Sequence, residues 1–415
     1  MTVMKRPSFH ELDTILAARP LLLEEMCERL LQASACAEAG GGTLALEALG
    51  EGRHVPAALR EEVGSGRALL LELSAAISLV RSGRAMLVDG DGQRRLMVPE
   101  SVRSAGPTTE GENSTVAFEG SRIGFEGPID RVMAGLVCRL SNSGVFSLAK
   151  VWAGGGCWSS RLGGVCWMQR EGRALNLSFD AAVGRATRRY FAEFVMACLG
   201  RLASVSCLQR AIHVVCPHCS TPVTPTQVER RTLRGRTEMK CCVCDLELSL
   251  LDPLLDTGDE AGSIVAEMAR CARARRDRQV ASLTVMGKRA VADYDVWLCH
   301  RRNDAEAVAR IGGWLEELGV LPLISEEPVD APFGAVGVVL GVEAVGPWYE
   351  PDLDDALREC SQRLRILPII LPTCDDPPLP PAYVDEDLKV DFRFEVPNPM
   401  ARLVEAISAA GRGPG

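Results

Sequence analysis

The sequence predicts a multidomain chain. It has an α+β N-terminal part, a small cysteine-cornered ribbon, and a C-terminal α/β domain built on a parallel sheet. Three observations predict it. Between Tyr294 and Ala410, short apolar runs alternate with segments of helical period, the mark of parallel strands covered on both faces. Two CxxC pairs, Cys216/Cys219 and Cys241/Cys244, are separated by 21 residues. Ahead of them, helices give way to a hairpin and then to strand-like runs.

The chain's 415 residues suffice for two to four domains. A net charge of −9 argues against a generic nucleic-acid or membrane-surface binder. Residues 1–20 hold no apolar signal core, so the sixteen cysteines read as reduced, mostly buried thiols. No apolar run approaches the roughly 20 residues that span a bilayer. A cytoplasmic location without membrane contact is the expectation.

Residues 1–103 read as a helical, winged-helix-like domain. Leu12–Ala18, Leu21–Ala35 and Leu44–Leu49 carry helix formers at helical spacing, broken at Gly40-Gly41-Gly42. Pro56–Val63 is a further short helix, and Arg67–Leu79 is amphipathic. Ala85–Val88 and Arg95–Val98 flank Asp89-Gly90-Asp91-Gly92 and form a hairpin. A helix leading into a hairpin suits a winged helix, and equally any small α+β unit. Residues 104–115, rich in Gly, Thr, Ser and Glu, are a linker.

Residues 116–210 form an α+β domain. Thr115–Phe118 and Ser121–Phe125 alternate as strands, and Ile129–Leu140 is a helix with Val132, Met133, Leu136, Val137 and Leu140 on one face. Lys150–Gly155, Gly164–Trp167 and Ala174–Phe179 are strand-like, and Thr187–Leu208 is a long helix. Trp152, Trp158 and Trp167 read as core packing. A helix ending Arg139-Leu140, a Trp152-Ala-Gly-Gly155 strand, two further strands and a helix resemble, in that order, the COR region of Roco proteins. Leu69–Pro99 is similar to the winged-helix part of that region. No GxxxxGK[ST] phosphate loop accompanies it, so the resemblance implies a separate GTPase or sensor chain as a partner.

Residues 211–255 read as a zinc ribbon. Each CxxC presents two thiolates from one tight turn, and Cys216, Cys219, Cys241 and Cys244 together close a tetrahedron around one ion. A closed site leaves no open position, so the Zn2+ is structural. Cys242 makes the second register ambiguous, and His218 could stand in for a thiolate but lies inside the first knuckle, where it is expected to be exposed. Arg230, Arg231, Arg234 and Arg236, and later Arg270, Arg273, Arg275, Arg276 and Arg278, suggest phosphate contact. Interleaved acids and the lack of aromatic residues from 211 to 293 favour a solvated face and count against nucleic acid. Residues 256–292 are a helical linker.

In 293–411, Tyr294–His300 is a strand, Asn303-Asp304 a helix cap, and Asp304–Leu318 a helix whose Val308, Ile311, Leu315 and Leu318 share a face, ended by Gly319. Leu321–Ile324, Ala335–Val342, Leu364–Leu371 and Val390–Phe392 are further strands. Pro347-Trp348 leads into a helical segment to about Gln362, and Met400–Ala410 is a last helix. Tyr294-Asp295-Val296-Trp297, Gly346-Pro347-Trp348-Tyr349-Glu350-Pro351-Asp352-Leu353, Ile366–Pro372 and Val390-Asp391-Phe392-Arg393 resemble the ordered motifs of a bacterial-type TIR domain. The resemblance implies a flavodoxin-like parallel sheet.

It also implies two activities: assembly with other TIR domains, and cleavage of NAD+ at the nicotinamide–ribose bond. That cleavage passes through an oxocarbenium-like state and needs a carboxylate near the ribose. The family's glutamate lies four residues after the motif tryptophan. Here Trp348 is that tryptophan and Asp352 holds the position, one methylene short. Glu350, two places away on a helix, is expected to point elsewhere. Pro351 fits a first turn. The ten residues Ser325–Gly334, with Pro328 and Pro332, leave no room for the crossover helix that such domains carry. Both departures favour an assembly module of a signalling or defence protein over an NAD+ nucleosidase. Its expected partners are other TIR domains or a Roco-type GTPase or sensor chain. Zinc-ribbon nucleic-acid binding stands third.

Overall fold

The computed structural model describes residues 9–19, 21–37, 42–90, 92–105, 116–126, 128–172, 174–180, 182–201, 206–215, 218–219, 221–223, 227, 230–231, 234–236, 238–249, 260–342, 346–396 and 398–410. The chain divides into two units, one of residues 27–46 and 78–277, the other of 1–26, 47–77 and 278–415.

Helices α1 (Phe9–Ala18) and α2 (Leu22–Cys36) follow the expected helical spacing. Leu44–Leu49, expected as one helix, splits into strand β1 (Thr43–Ala45) and a single turn α3 (Leu46–Leu49). The reason is tertiary: β1 finds a strand partner, and pairing overrides propensity in so short a segment. Helices α4 (Ala57–Val63) and α5 (Ser65–Arg81) precede the hairpin β2 (Met86–Gly90) and β3 (Gln93–Met97). The sheet order is β1-β3-β2, and β2 and β3 pair from Met86↔Met97 to Gly90↔Gln93 across a two-residue turn.

A seven-stranded antiparallel sheet follows, in the order β10-β9-β4-β8-β7-β6-β5. Strand β4 (Val116–Glu126) merges two expected strands across a break in register after Ala117. Helix α6 (Ile129–Asn142) buries Val132, Met133, Leu136, Val137 and Leu140, the face expected from the spacing. Strands β5 (Phe146–Trp152) and β6 (Gly155–Ser160) form a hairpin where one strand over Lys150–Gly155 was expected, because Ala153-Gly154 is its turn. Strands β7 (Val165–Glu171) and β8 (Ala174–Asp180) complete the meander. Helix α7 (Arg185–Gly200) lies with α6 on one face of this sheet, and Phe191 sits at the centre of their common core. Its ring is 5.0 Å from Phe146, 5.8 Å from Trp158 and 5.9 Å from Phe179. Trp158 is fully buried and donates from Nε1 to Ser141 Oγ at 3.0 Å, and Trp152 is also buried; both are core residues, whereas Trp167 is half-buried.

The long helix expected to run to Leu208 stops at Gly200, and Ser206–Val215 is strand β9. Its backbone pairs with β4 from Gly120↔His213 to Glu126↔Ser206, a long-range partner that local helical spacing does not reveal. Strand β9 therefore runs through the expected 210/211 domain boundary and ends at Val215. Strand β10 (Pro222–Val223) folds back on Val214–Val215. Strands β11 (Glu238–Lys240) and β12 (Glu247–Ser249) make a separate hairpin, and α8 (Glu260–Val291) follows. Most of the expected 104–115 linker, residues 106–115, lies outside the described residues.

The C-terminal sheet contains β13 (Tyr294–Cys299), β14 (Pro322–Ser325), β15 (Phe333–Leu340), β16 (Ile366–Ile370) and β17 (Val390–Asp391). All are parallel, in the order β14-β13-β15-β16-β17. The near-continuous apolar runs of β13, β15 and β16 are buried, as a two-faced sheet requires. One face packs against α9 (Ala305–Glu317) and α11 (Pro399–Ala410), through Val308, Ile311, Leu315, Leu403 and Ile407. The other packs against α10 (Pro351–Ser361), through Leu353 and Leu357. Leu318, expected on the inner face of α9, is 56% exposed, because the helix has already ended one residue earlier. Between β14 and β15 the described chain holds no helix, as the two prolines require. Asp295, the second residue of β13, accepts two bonds from Lys288 Nζ at 2.8 and 2.7 Å and one from Leu321 N at 2.6 Å, anchoring the starts of β13 and β14. Among the described residues, no single helix is long and apolar enough to cross a membrane.

Candidate functional site

Two places gather chemistry-bearing side chains. The first is the cysteine ribbon. Hairpin β11–β12 holds the second knuckle: Cys241 N donates to the Leu246 carbonyl at 2.8 Å, and Asp245 N to the Cys241 carbonyl at 3.1 Å. Asp245 closes this turn at φ 54, a left-handed conformation that aspartate tolerates. The turn directs Cys241 and Cys244 inward and leaves Cys242 exposed, which resolves the ambiguous register. The first knuckle lies between β9 and β10 and brings up Cys219, whose Sγ is 3.4 Å from Cys241 Sγ. The Sγ atoms of Cys219, Cys241 and Cys244 lie within 4.8 Å of one another. Thiolates bound at about 2.3 Å to one tetrahedral ion would be about 3.8 Å apart, so three corners of such a site are formed. Val223, Met239 and Leu248 pack around them and keep water from one side. The fourth expected ligand, Cys216, lies outside the described residues.

The second place is the crevice at the carboxyl ends of β13 and β15. The chain leaves these strands in opposite directions there, which is where open α/β sheets place ligands. Two contacts join the loops. Asp304, only 3% exposed, accepts from Val342 N through Oδ1 at 3.0 Å. It does not cap α9 through its side chain, as expected from sequence, because that oxygen is spent on the neighbouring loop. A Cβ on Gly341 would lie 1.8 Å from the same oxygen, so only glycine fits. Arg301 pairs with Glu350 at 3.3 Å. His300 is buried and its Nδ1 is 2.9 Å from the Arg301 carbonyl.

Pro347-Trp348 leads into the helical segment as expected, through a single 3-10 turn, Pro347–Tyr349, and then α10 with Pro351 at its start. Glu350 between them has extended backbone and is the N-cap residue of α10. It is therefore not two places along a helix from Asp352, and it turns toward Arg301. Trp348 is buried against the β13–β15 face. Asp352 is exposed in the first turn of α10 and makes no side-chain hydrogen bond or ion pair among the described residues. The structure thus joins Glu350 to the crevice through Arg301 and leaves Asp352 unengaged.

A neighbouring carboxylate, Asp354, is locked in place. It accepts from Tyr383 Oη at 2.5 Å and from Arg358 Nε at 2.8 Å. These bonds, Tyr383 first, hold its carboxyl below the usual range, while burial and then the same bond push the Tyr383 phenol up. Tyr383 and Arg301 escaped sequence reasoning; their partners are 29 and 49 residues away, and no local spacing signals them. Buried Cys299 at the end of β13 is pushed up to about 12, chiefly by burial, which leaves it a poor nucleophile at neutral pH.

No family model and no curated protein matches the chain.

Proposed function

We propose that this is an intracellular signalling or defence protein whose C-terminal domain is a TIR-like assembly module. In this reading the N-terminal part is a COR-like platform, and zinc at Cys216, Cys219, Cys241 and Cys244 is structural. The observation that carries it is the state of the family's carboxylate position: Asp352 is exposed and, among the described residues, makes no side-chain hydrogen bond or ion pair. A catalytic carboxylate is ordinarily positioned and tuned by its neighbours. The strand order β14-β13-β15-β16-β17 is the flavodoxin-like one, which supports the TIR-like assignment. The β1-β3-β2 order, with α5 leading into the hairpin, supports the winged-helix reading. For assembly, α9 offers Trp314, 48% exposed, and Leu318 just past the helix end is 56% exposed. Strand β14 is an edge strand, open to pairing with another chain.

One observation favours a second reading, an NAD+ nucleosidase. Glu350, not Asp352, sits beside Arg301 at the crevice and could serve as the ribose-facing carboxylate. Nicotinamide release from NAD+ by the purified zinc-loaded protein, with and without a crowding agent, decides between them. No release under either condition, together with concentration-dependent association by light scattering that Trp314→Ala weakens, supports the assembly module. Release abolished by Glu350→Gln or Asp352→Ala overturns it and names the carboxylate.

A further inference from the structure

The unit of residues 27–46 and 78–277 contains a cavity of about 150 Å³ between the last turns of α6 and α7 and the middle of α8. Four guanidinium groups line it: Arg139 from α6, Arg201 from the end of α7, and Arg273 and Arg276 from α8. They come from three separate elements, so the cluster is a product of the fold and not of one basic run. Arg273 and Arg276 are three residues apart and share a face of their helix. Among the described residues, no carboxylate lines the cavity.

We propose that this cavity binds the phosphate of a small organic phosphate monoester. The charge balance favours an anion. The C-terminal ends of α6 and α7 contribute about half a negative charge each and Asp277 beside Arg276 one more, against four full positive charges, leaving roughly two in excess. That excess stands inside a chain of net charge −9, so composition does not account for it. A purely structural role would have the arginines satisfy helix-end carbonyls. One does so: Arg139 donates to the Cys198 carbonyl at 3.4 Å. Arg276 meets only its sequence neighbour Asp277, at 3.4 Å. Arg201 and Arg273 make no ion pair or side-chain hydrogen bond among the described residues. Guanidinium forks of this kind match phosphate oxygens two at a time.

Size and lining limit the ligand. At about 10–15 Å³ of such space per water, the cavity holds roughly ten waters, which is room for a phosphate and a small organic group. Val80 and the buried Phe194 give that group an apolar wall. Cys138 and Cys198 also border the cavity, but burial pushes both thiols up, Cys138 to about 12, so they are walls and not nucleophiles.

Isothermal titration of the full-length zinc-loaded protein tests this, with AMP, inorganic phosphate and adenosine as probes. Saturable binding of AMP and phosphate, none of adenosine, and an affinity loss of about tenfold or more in Arg273→Gln/Arg276→Gln are the expected results. Both side chains point into open or half-open space, so the variant should melt as the parent does; if it does not, Arg201→Gln at the exposed helix end is read in its place. Absence of saturable binding by either phosphate probe overturns the proposal. So does equal binding by the folded variant. Tighter binding of an unphosphorylated DNA oligonucleotide than of AMP, abolished by salt, also overturns it and makes the arginines a polyanion track.

Discussion

The cysteine ribbon and the C-terminal crevice pose the same problem, bringing reactive side chains together, and solve it at different sequence ranges. In the ribbon, Cys241 and Cys244 are held by one hairpin turn, and only one long-range step brings Cys219 against them. In the crevice, Arg301 meets Glu350 and Asp304 meets Val342 across strands that are neighbours only because the sheet is parallel. Short-range geometry follows from residue spacing. Long-range geometry follows from where each loop happens to leave the sheet. Accordingly the ribbon presents three expected ligands together, whereas the loops at the strand ends pair Glu350 with Arg301 and leave Asp352 exposed.

The strongest way to break this contrast is to remove a ribbon ligand. Cys241→Ser should abolish stoichiometric zinc and unravel the ribbon, since structural zinc supplies roughly 10–16 kcal/mol in isolated zinc-finger peptides. Zinc content by elemental analysis checks it, with exposed Cys242→Ser retaining the metal. Retention by Cys241→Ser would show that the three thiols are incidental.

Next is the core that carries the ribbon's first strands. Phe191→Ala, which removes the ring touching Phe146, Trp158 and Phe179, should cost about 3–5 kcal/mol in urea unfolding. In the crevice, Asp304→Ala leaves Val342 N without its acceptor and should cost about 1–3 kcal/mol; Asp304→Asn, which keeps an acceptor oxygen, should cost less. Equal losses would mean that the loop-to-loop bond is not what Asp304 contributes.

The smallest effect is electrostatic. Arg393 holds the Asp391 carboxyl below its usual range through hydrogen bonds at 3.0 and 2.7 Å. A depressed folded-state pKa stabilises above the unfolded value of about 3.9, and that stability is lost as pH falls through the folded value. Arg393→Gln should therefore move the acid-unfolding midpoint to higher pH while leaving thermal stability near pH 7 only slightly lower. An unchanged midpoint would show the pair to be screened by solvent.

Several elements were legible from residue type alone. The parallel strands announced themselves as apolar runs, α6 by its inward stripe, and α10 by Pro351 at its start. Others were not. Strand β9 looked like the end of a helix because its partner β4 is about ninety residues earlier. Strand β1 looked helical for the same reason, with its partner β3 about fifty residues on. In the candidate sites, the CxxC spacing spoke directly for Cys219, Cys241 and Cys244. Arg301, Tyr383 and the arginines of the α6–α7–α8 cavity carried no local signal.

By itself, then, the sequence determined the alternation of strands and helices, the absence of a crossover helix before Phe333, and the thiol-bearing turn of the second cysteine pair. Each depends on contacts within a few residues, where backbone preference and side-chain period act directly. Only the tertiary structure decided that β9 joins the large sheet and that Glu350 rather than Asp352 meets the strand ends. It also decided that four arginines from three helices face one space. Those outcomes depend on which distant backbone supplies a hydrogen-bonding edge and on where each loop exits its sheet, and neither is written in local spacing.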